Sequence, residues 1–323
     1  MTDLITELLP ASALYGRDFL TIAEFSTGEL QLFLKQAYDM KQLMKKNISH
    51  PYLRGKTLAM IFEKSSTRTR VAFEVGMYQL GGHALFLSSR DMQLGRGETV
   101  ADTAHVLSRF VDGILIRTFE HERVEELAEY ADVPVINGLT DTHHPTQVIA
   151  DLLTIYEHKG RLKGLSACFI GDGLNNMAHS LLEGAAAFGM NMTVASPPGY
   201  EPDEAIFQAA VARGKANGCH IAFTHSPQDA AAGSDIVITD TWLSMGDENE
   251  KEKRLHDFRG FQVDDALVSL AKPDYLFMHC LPAHRGEEVT PSVIDGSHSI
   301  VFDEAENRLH AHKAILKCLM EGR

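Results

Sequence analysis

Short β-branched and aromatic runs recur along this chain, and helical patterns fill most of the gaps between them. The runs are Thr57–Phe62, Ala84–Ser88, Gly113–Thr118, Pro134–Asn137, Ser166–Gly171, Met192–Ser196, Ile221–His225, Asp235–Thr239 and Tyr275–His279. Helical periodicity covers Arg68–Leu80, Thr99–Phe110, Glu122–Tyr130, Thr146–Glu157, Met177–Phe188 and Glu204–Ala216, with Thr27–Met44 and Ala311–Met320 flanking the whole. Strands that alternate with helices pair in parallel and bury both sheet faces under their crossovers. The expected class is therefore α/β, with two doubly wound domains and mainly parallel sheets. Four strands precede a helix opened by Pro145, a residue suited to the first helical position, and five follow it. The domain boundary is placed inside or just after that helix.

The 323 residues are enough for about two domains. Thirty Lys and Arg against 44 Asp and Glu leave a net charge of −14. Neutralising a phosphate backbone needs a basic face, so general nucleic-acid binding is excluded. A small anionic substrate would need positive charge concentrated locally. No run of about 18 apolar residues is present, so no membrane span is expected. The N-terminus lacks the features of a signal or transit peptide. Cys168, Cys219, Cys280 and Cys318 are 38 or more residues apart, neither a metal-binding pattern nor a disulfide framework. A cytoplasmic protein is the expectation.

Ligands of open α/β sheets bind at the carboxyl ends of the strands. After Thr57–Phe62 stand Ser66, Thr67, Arg68 and Thr69 at the start of a helix. Free N–H groups, hydroxyls and a guanidinium converge there, which suits phosphate. Arg70 is four residues before Glu74 and reads as an ordinary helix pair. Arg117 ends the third strand and could add a second cation. His143 and His144 open the Pro145 helix, followed by Thr146 and Gln147. Adjacent histidines lack the spacing of a metal set, and no third ligand is found. A neutral His at a helix N-terminus instead donates well to a carbonyl oxygen, because the dipole disfavours its protonation.

Gly171-Asp172-Gly173-Leu174-Asn175-Asn176 begins like a dinucleotide fingerprint, but Asn176 replaces its third glycine and Ser196, not an acid, ends the next strand. This argues against a nicotinamide dehydrogenase. The Asn pair would suit a carboxylate. Asp240, after the eighth run, is a candidate ammonium ligand, and Trp242 a packing anchor. Asp247–Arg254 is nearly all charged and reads as a mobile solvated loop. Cys280 ends the last strand; His279 should point to the opposite face, leaving no adjacent base for covalent catalysis.

Ser66-Thr67-Arg68-Thr69-Arg70, His144-Pro145-Thr146-Gln147, Asp240 with Ser244-Met245-Gly246, and His279-Cys280-Leu281-Pro282 together resemble the ornithine carbamoyltransferase branch of the aspartate/ornithine carbamoyltransferase superfamily. The order and spacing agree over nearly the whole chain. The resemblance implies a carbamoyl phosphate domain over residues 1–150, completed by the helix 308–323, and an ornithine domain over 151–307, joined by interdomain helices. It implies that Ser66, Thr67, Arg68, Thr69, Arg117, His144, Gln147, Cys280, Leu281 and Arg308 hold carbamoyl phosphate. Gln93 would reach the phosphate site of a neighbouring subunit. Asn176, Asp240, Ser244 and Met245 would hold ornithine. Arg68, His144, Asp240 and Cys280 would be the catalytic set, with no metal and no cofactor.

The implied reaction is carbamoyl transfer from carbamoyl phosphate to the δ-amine of L-ornithine, giving L-citrulline and phosphate, in a homotrimer or an assembly of trimers. Three alternatives stand beside it. They are a sister enzyme acting on putrescine, an N-acylated ornithine or aspartate; a dehydrogenase using the Gly171 turn; and a non-catalytic binding protein.

Overall fold

The computed structural model describes residues 9–90, 92–94, 97–243 and 248–322. The chain divides into two compact units. One runs to Leu153 and takes back the chain from Glu306 onward; the other is Thr154–Ala305.

The first unit opens with α1 (Thr27–Lys45), where Ser26 and Glu29 form a reciprocal capping box. It continues with β1 (Thr57–Phe62), α2 (Thr67–Gln79), β2 (His83–Ser88), α3 (Val100–Leu107), β3 (Gly113–Arg117), α4 (His121–Tyr130), β4 (Val135–Leu139) and the start of α5 (Pro145–Lys159). The sheet order is β2-β1-β3-β4, and every pairing is parallel. Between Leu58 and Phe62 in β1, and up to Ile116 in β3, the central strands are apolar and buried on both faces, as parallel strands under helices must be. Their Ala59, Ile61, Ile114 and Ile116 form one core with Val124, Leu127 and Val135. Phe19, Phe25 and Phe33 make a second, aromatic cluster with centroids 5.1–5.4 Å apart.

The register between β3 and β4 slips after Ile116, so that Arg117 faces Leu139 and Gly138 is the extra residue. A Cβ at Gly138 would lie 3.1 Å from Leu115 Cδ1 and 3.2 Å from the Ile116 carbonyl. A side chain there would have to push the Leu115 side chain and the Ile116 carbonyl aside, so the bulge favours glycine.

The second unit holds the rest of α5, then β5 (Ser166–Ile170), α6 (Asn176–Phe188), β6 (Asn191–Ala195), α7 (Glu204–Asn217), β7 (Ile221–Thr224), α8 (Pro227–Ala231), β8 (Ile236–Ile238), α9 (Lys251–Asp257), α10 (Asp265–Val268), β9 (Leu276–Met278), α11 (Pro291–Ile294) and the start of α12 (Val301–Met320). Its sheet order is β7-β6-β5-β8-β9, again all parallel. Its core joins Cys168, Ile170, Val237 and Phe277 to Phe258, Phe261 and Val263. Trp242 stacks on Phe258 at 5.3 Å, so it is a packing anchor. Among the described residues no helix is long and apolar enough to cross a membrane.

All the expected strands are present, with ends moved by a residue or two. Two expectations are corrected. The charged stretch 247–254 is not simply a solvated loop: within its described part, a 3-10 turn at Glu248–Glu250 leads into α9. Ion pairs four residues apart, Glu250 with Arg254 at 3.0 Å and Lys253 with Asp257 at 3.1 Å, support that helix. The second correction is that α12 begins at Val301, ten residues before the expected start. Its first turns carry Glu304, Asn307 and Arg308, polar residues whose burial the apolar periodicity does not register.

Candidate active site

In the first sheet the strand order reverses between β1 and β3, and ligands of such sheets bind outside that point. The residues after β1 enter α2. Ser66 is its N-cap: the backbone is extended there, and Oγ accepts the Thr69 N–H at 3.1 Å. Arg68 is in the first turn, half-buried. Thr69 is fully buried, and its Oγ1 accepts Arg308 Nη2 at 2.6 Å, which brings α12 onto the start of α2. The same two helices continue this ladder one turn on: Phe73 stacks on His312 with centroids 4.0 Å apart. Arg117, the last residue of β3, pairs in register with Phe62 and is buried.

His144 precedes Pro145 at the start of α5 and is buried. Burial, then the charges of Arg308, Arg117, His312 and Arg68, hold its imidazole well below the usual range. The sequence reading expected neutrality from the helix dipole; burial and the arginines are the larger causes here. Thr140 shapes the approach: its Oγ1 accepts the His143 N–H at 3.1 Å, and its own N–H donates to the His143 carbonyl at 2.8 Å. Gln147 donates from Nε2 to Asp151 Oδ1 at 2.8 Å. Three guanidinium groups around a neutral imidazole, beside a capped helix N-terminus, suit an anion that carries a carbonyl group.

In the second sheet the order reverses between β5 and β8. The turn after β5 is Gly171–Asn175. A Cβ at Gly173 would lie 2.5 Å from the Tyr200 carbonyl, so the second glycine of the apparent dinucleotide fingerprint serves close backbone packing. Asn175 is the N-cap of α6, its Oδ1 accepting the Met177 N–H at 2.6 Å; Asn176 follows, half-buried. Asn175 Nδ2 also donates to Asp240 Oδ2 at 3.2 Å. Asp240 Oδ1 accepts the Thr241 N–H at 2.8 Å and the Cys280 thiol at 3.3 Å. A carboxylate has about four acceptor directions, so three donors leave one on Oδ2 among the described contacts. That remaining direction suits an ammonium.

Asp240, His279 and Cys280 each bring one potential metal-ligand atom within 4.8 Å of the others. This corrects the expectation that His279 points away from Cys280. Strand β9 ends at Met278, and Leu281 has φ +59°, so strict alternation no longer holds there. Both His279 nitrogens are engaged: Nδ1 accepts the Leu281 N–H at 2.9 Å, and Nε2 pairs with Glu288 at 3.2 Å. The imidazole therefore orders the Cys280–Leu281 turn.

Two family descriptions account for the two units. "Aspartate/ornithine carbamoyltransferase, carbamoyl-P binding domain" matches residues 17–157, and "Asp/Orn binding domain" of the same family matches 163–319. The chain belongs to the aspartate/ornithine carbamoyltransferase family. It is 59% identical over 307 residues to the ornithine carbamoyltransferase of Anoxybacillus flavithermus, covering 95% of this chain and 98% of that one. It is 56% identical over 309 residues to that of Bacillus subtilis, covering 96% and 95%. The solved ornithine carbamoyltransferase of Pyrococcus furiosus superposes with a TM-score of 0.93 at 52% identity, over 96% of this chain and 99% of that one.

The structure distributes the carbamoyltransferase residues expected from sequence over both units. Ser66, Thr67, Arg68, Thr69, Arg117, His144, Gln147 and Arg308 belong to the first; Asn176, Asp240, Cys280 and Leu281 belong to the second. Gln93 is exposed, and its carbonyl accepts the Glu98 N–H at 3.4 Å. Ser244 and Met245 lie outside the described residues. Sequence reasoning missed His312, a buried imidazole coupled to the titration of His144. It also missed the buried Lys64, paired with Asp141 and lying 4.5 Å over the Phe119 ring. Lys64 stands next to the Ser65-Ser66-Thr67-Arg68 motif, and that adjacency was the available signal. For His312 there was none, because helical apolar periodicity absorbs it.

Proposed function

We propose that this chain transfers the carbamoyl group of carbamoyl phosphate to the δ-amine of L-ornithine, giving L-citrulline and phosphate. The observation that carries the reading is the neutral, buried His144 among Arg68, Arg117 and Arg308. Carbamoyl phosphate is an anion with a carbonyl beside its phosphate. The arginines and the capped start of α2 receive the phosphate. Arg68 and His144 donate to the carbonyl oxygen, which becomes an oxyanion as the amine adds. The neutral δ-nitrogen forms the new C–N bond, the bond between the carbamoyl carbon and the bridging phosphate oxygen breaks, and the amine proton passes to the leaving group, which departs as hydrogen phosphate.

Ornithine presents one ammonium and one carboxylate at its far end. Asp240 takes the ammonium through its remaining Oδ2 direction, and the start of α6 at Asn176 takes the carboxylate. Ser244 and Met245 complete this end by resemblance. Cys280 acts through its thiol on Asp240, and Leu281 stays with the carbamoyl phosphate set by resemblance only. Putrescine has no carboxylate and would leave the α6 donors unpaired, a mismatch that discriminates by about 10⁴-fold. The test offers purified protein carbamoyl phosphate and equal concentrations of ornithine, putrescine, N-acetylornithine or aspartate. Ornithine should give the highest kcat/KM; a higher value for any other amine overturns the choice of acceptor.

The active form is proposed to be a homotrimer, alone or in larger assemblies. Along α2, Val71, Val75 and Tyr78 are exposed, Tyr78 by 81%, and the edge strand β2 adds exposed Leu85 and Phe86. An apolar face of this kind supports burial against another copy. Gln93 then serves the neighbour's phosphate site. Mixing an inactive Gln93→Ala variant with an inactive Arg68→Ala variant should restore part of the activity. No recovery after verified subunit exchange would count against it. No disulfide joins the described cysteines, which supports a reducing cytoplasm as the working compartment.

A further inference from the structure

Arg254 is charged, lies in a stretch that sequence alone assigns to solvent, and is yet mostly buried, its side chain 13% exposed. Its Nη1 donates to Asp172 Oδ2 at 2.5 Å and to the Trp242 carbonyl at 3.0 Å. Its Nε donates to Glu250 at 3.0 Å, and its guanidinium lies 5.3 Å over the Tyr200 ring. Asp172 is in the turn after β5, and Trp242 is in the segment after β8. One guanidinium thus bridges the two strand-end segments on either side of the point where the sheet order reverses.

Both segments lead to Asp240. Asp172 Oδ1 accepts the Leu174 N–H at 3.0 Å, and its carbonyl accepts the Asn175 N–H at 3.1 Å. Those bonds fix the turn from which Asn175 reaches Asp240 Oδ2. On the other side Trp242 is two residues from Asp240. We propose that Arg254 is a positioning residue for the amino-acid substrate: by holding Asp172 and Trp242 together it sets the direction in which Asp240 offers its carboxylate. The proposal rests on the ornithine reading above.

Nη1 serves Asp172 and the Trp242 carbonyl together, and Nε adds Glu250. A lysine ammonium has three donors, but it sits one bond closer to the backbone than Nη1 and cannot also replace the Nε bond to Glu250. Without either, Asp172 is a buried charge with its cation removed, which the fold resists. The test measures citrulline formation and, separately, equilibrium binding of carbamoyl phosphate, for the wild type, Arg254→Gln, Arg254→Lys and the double variant Asp172→Asn/Arg254→Gln. Arg254→Gln should raise KM for ornithine about tenfold or more, the loss of one well-placed polar contact. Carbamoyl phosphate binding, a property of the other unit, should stay within about twofold, well under one such contact. Arg254→Lys should fall between.

The double variant buries no lone charge, so its thermal stability should recover, while its ornithine KM should stay high because the bridge to Trp242 is still missing. An unchanged ornithine KM in Arg254→Gln, a parallel loss of carbamoyl phosphate binding, or full recovery of KM in the double variant overturns the proposal. A wild type that makes no citrulline would overturn the ornithine reading itself, and this proposal with it.

Discussion

His310 gives the sharpest prediction about the first unit. Its imidazole is fully buried on α12, and neither ring nitrogen has a hydrogen-bond partner among the described residues. Burial, reinforced by Lys313, Lys41, Lys45 and His50, pushes its pKa down to about 3; Glu306, 3.6 Å away, is its nearest opposite charge. In the unfolded chain a histidine titrates near 6.5. Between those values the unfolded state binds a proton that the folded state refuses, so stability rises with pH. The contribution is complete above about pH 6.5 and is lost as pH falls. From pH 7.5 to pH 5.0 this one residue should cost the fold about 2 kcal/mol. His144 and His312 are pushed down for the same reason and add loss of the same sign. Lys313, lowered to about 8, titrates largely above the window. His310→Gln keeps a polar side chain and removes the titration. Urea unfolding followed by far-ultraviolet circular dichroism at both pH values should show the variant losing about 2 kcal/mol less than the wild type. The difference between the two proteins carries the test, since other groups contribute equally to both. Parallel losses would refute the reasoning.

Two predictions concern the phosphate end. Arg68→Ala should lower kcat by about 10²–10³-fold, the scale of one lost donor to a developing oxyanion, with an unchanged circular dichroism spectrum; near-normal turnover would remove Arg68 from the site. Thr69→Val deletes the acceptor of the buried Arg308 Nη2. A buried charged donor left unmade costs about 1–3 kcal/mol, so weaker carbamoyl phosphate binding and a lower melting temperature should appear together. Either measure alone remaining at the wild-type value would contradict the contact.

Much of the fold was legible because its determinants are local. The strand runs, Ser66 as a cap, Pro145 at a helix start and the Arg70–Glu74 pair, seen at 3.0 Å, depend on residues within one turn of each other. The substrate-facing residues were legible for a related reason: in a parallel sheet they come at the carboxyl ends of strands, so locating the strand locates the candidate. Local pattern fails where a polar residue is buried by a distant partner. The run around Arg254 reads as solvated because its charges lie close together in sequence. It folds as α9 because Asp172, 82 residues away, takes the guanidinium. Glu304, Asn307 and Arg308 break the apolar period that would have announced the start of α12, and they are buried there because His279, Lys41 and Thr69 bond to them. The sequence by itself determined the α/β class and the strand ends at which chemistry is done. Only the tertiary structure decided which strands sit side by side, and with them the reversal points, the burial and arginine charges that hold His144 neutral, and the donors that aim Asp240. Those properties are sums over groups far apart in the chain, and no window of sequence contains them.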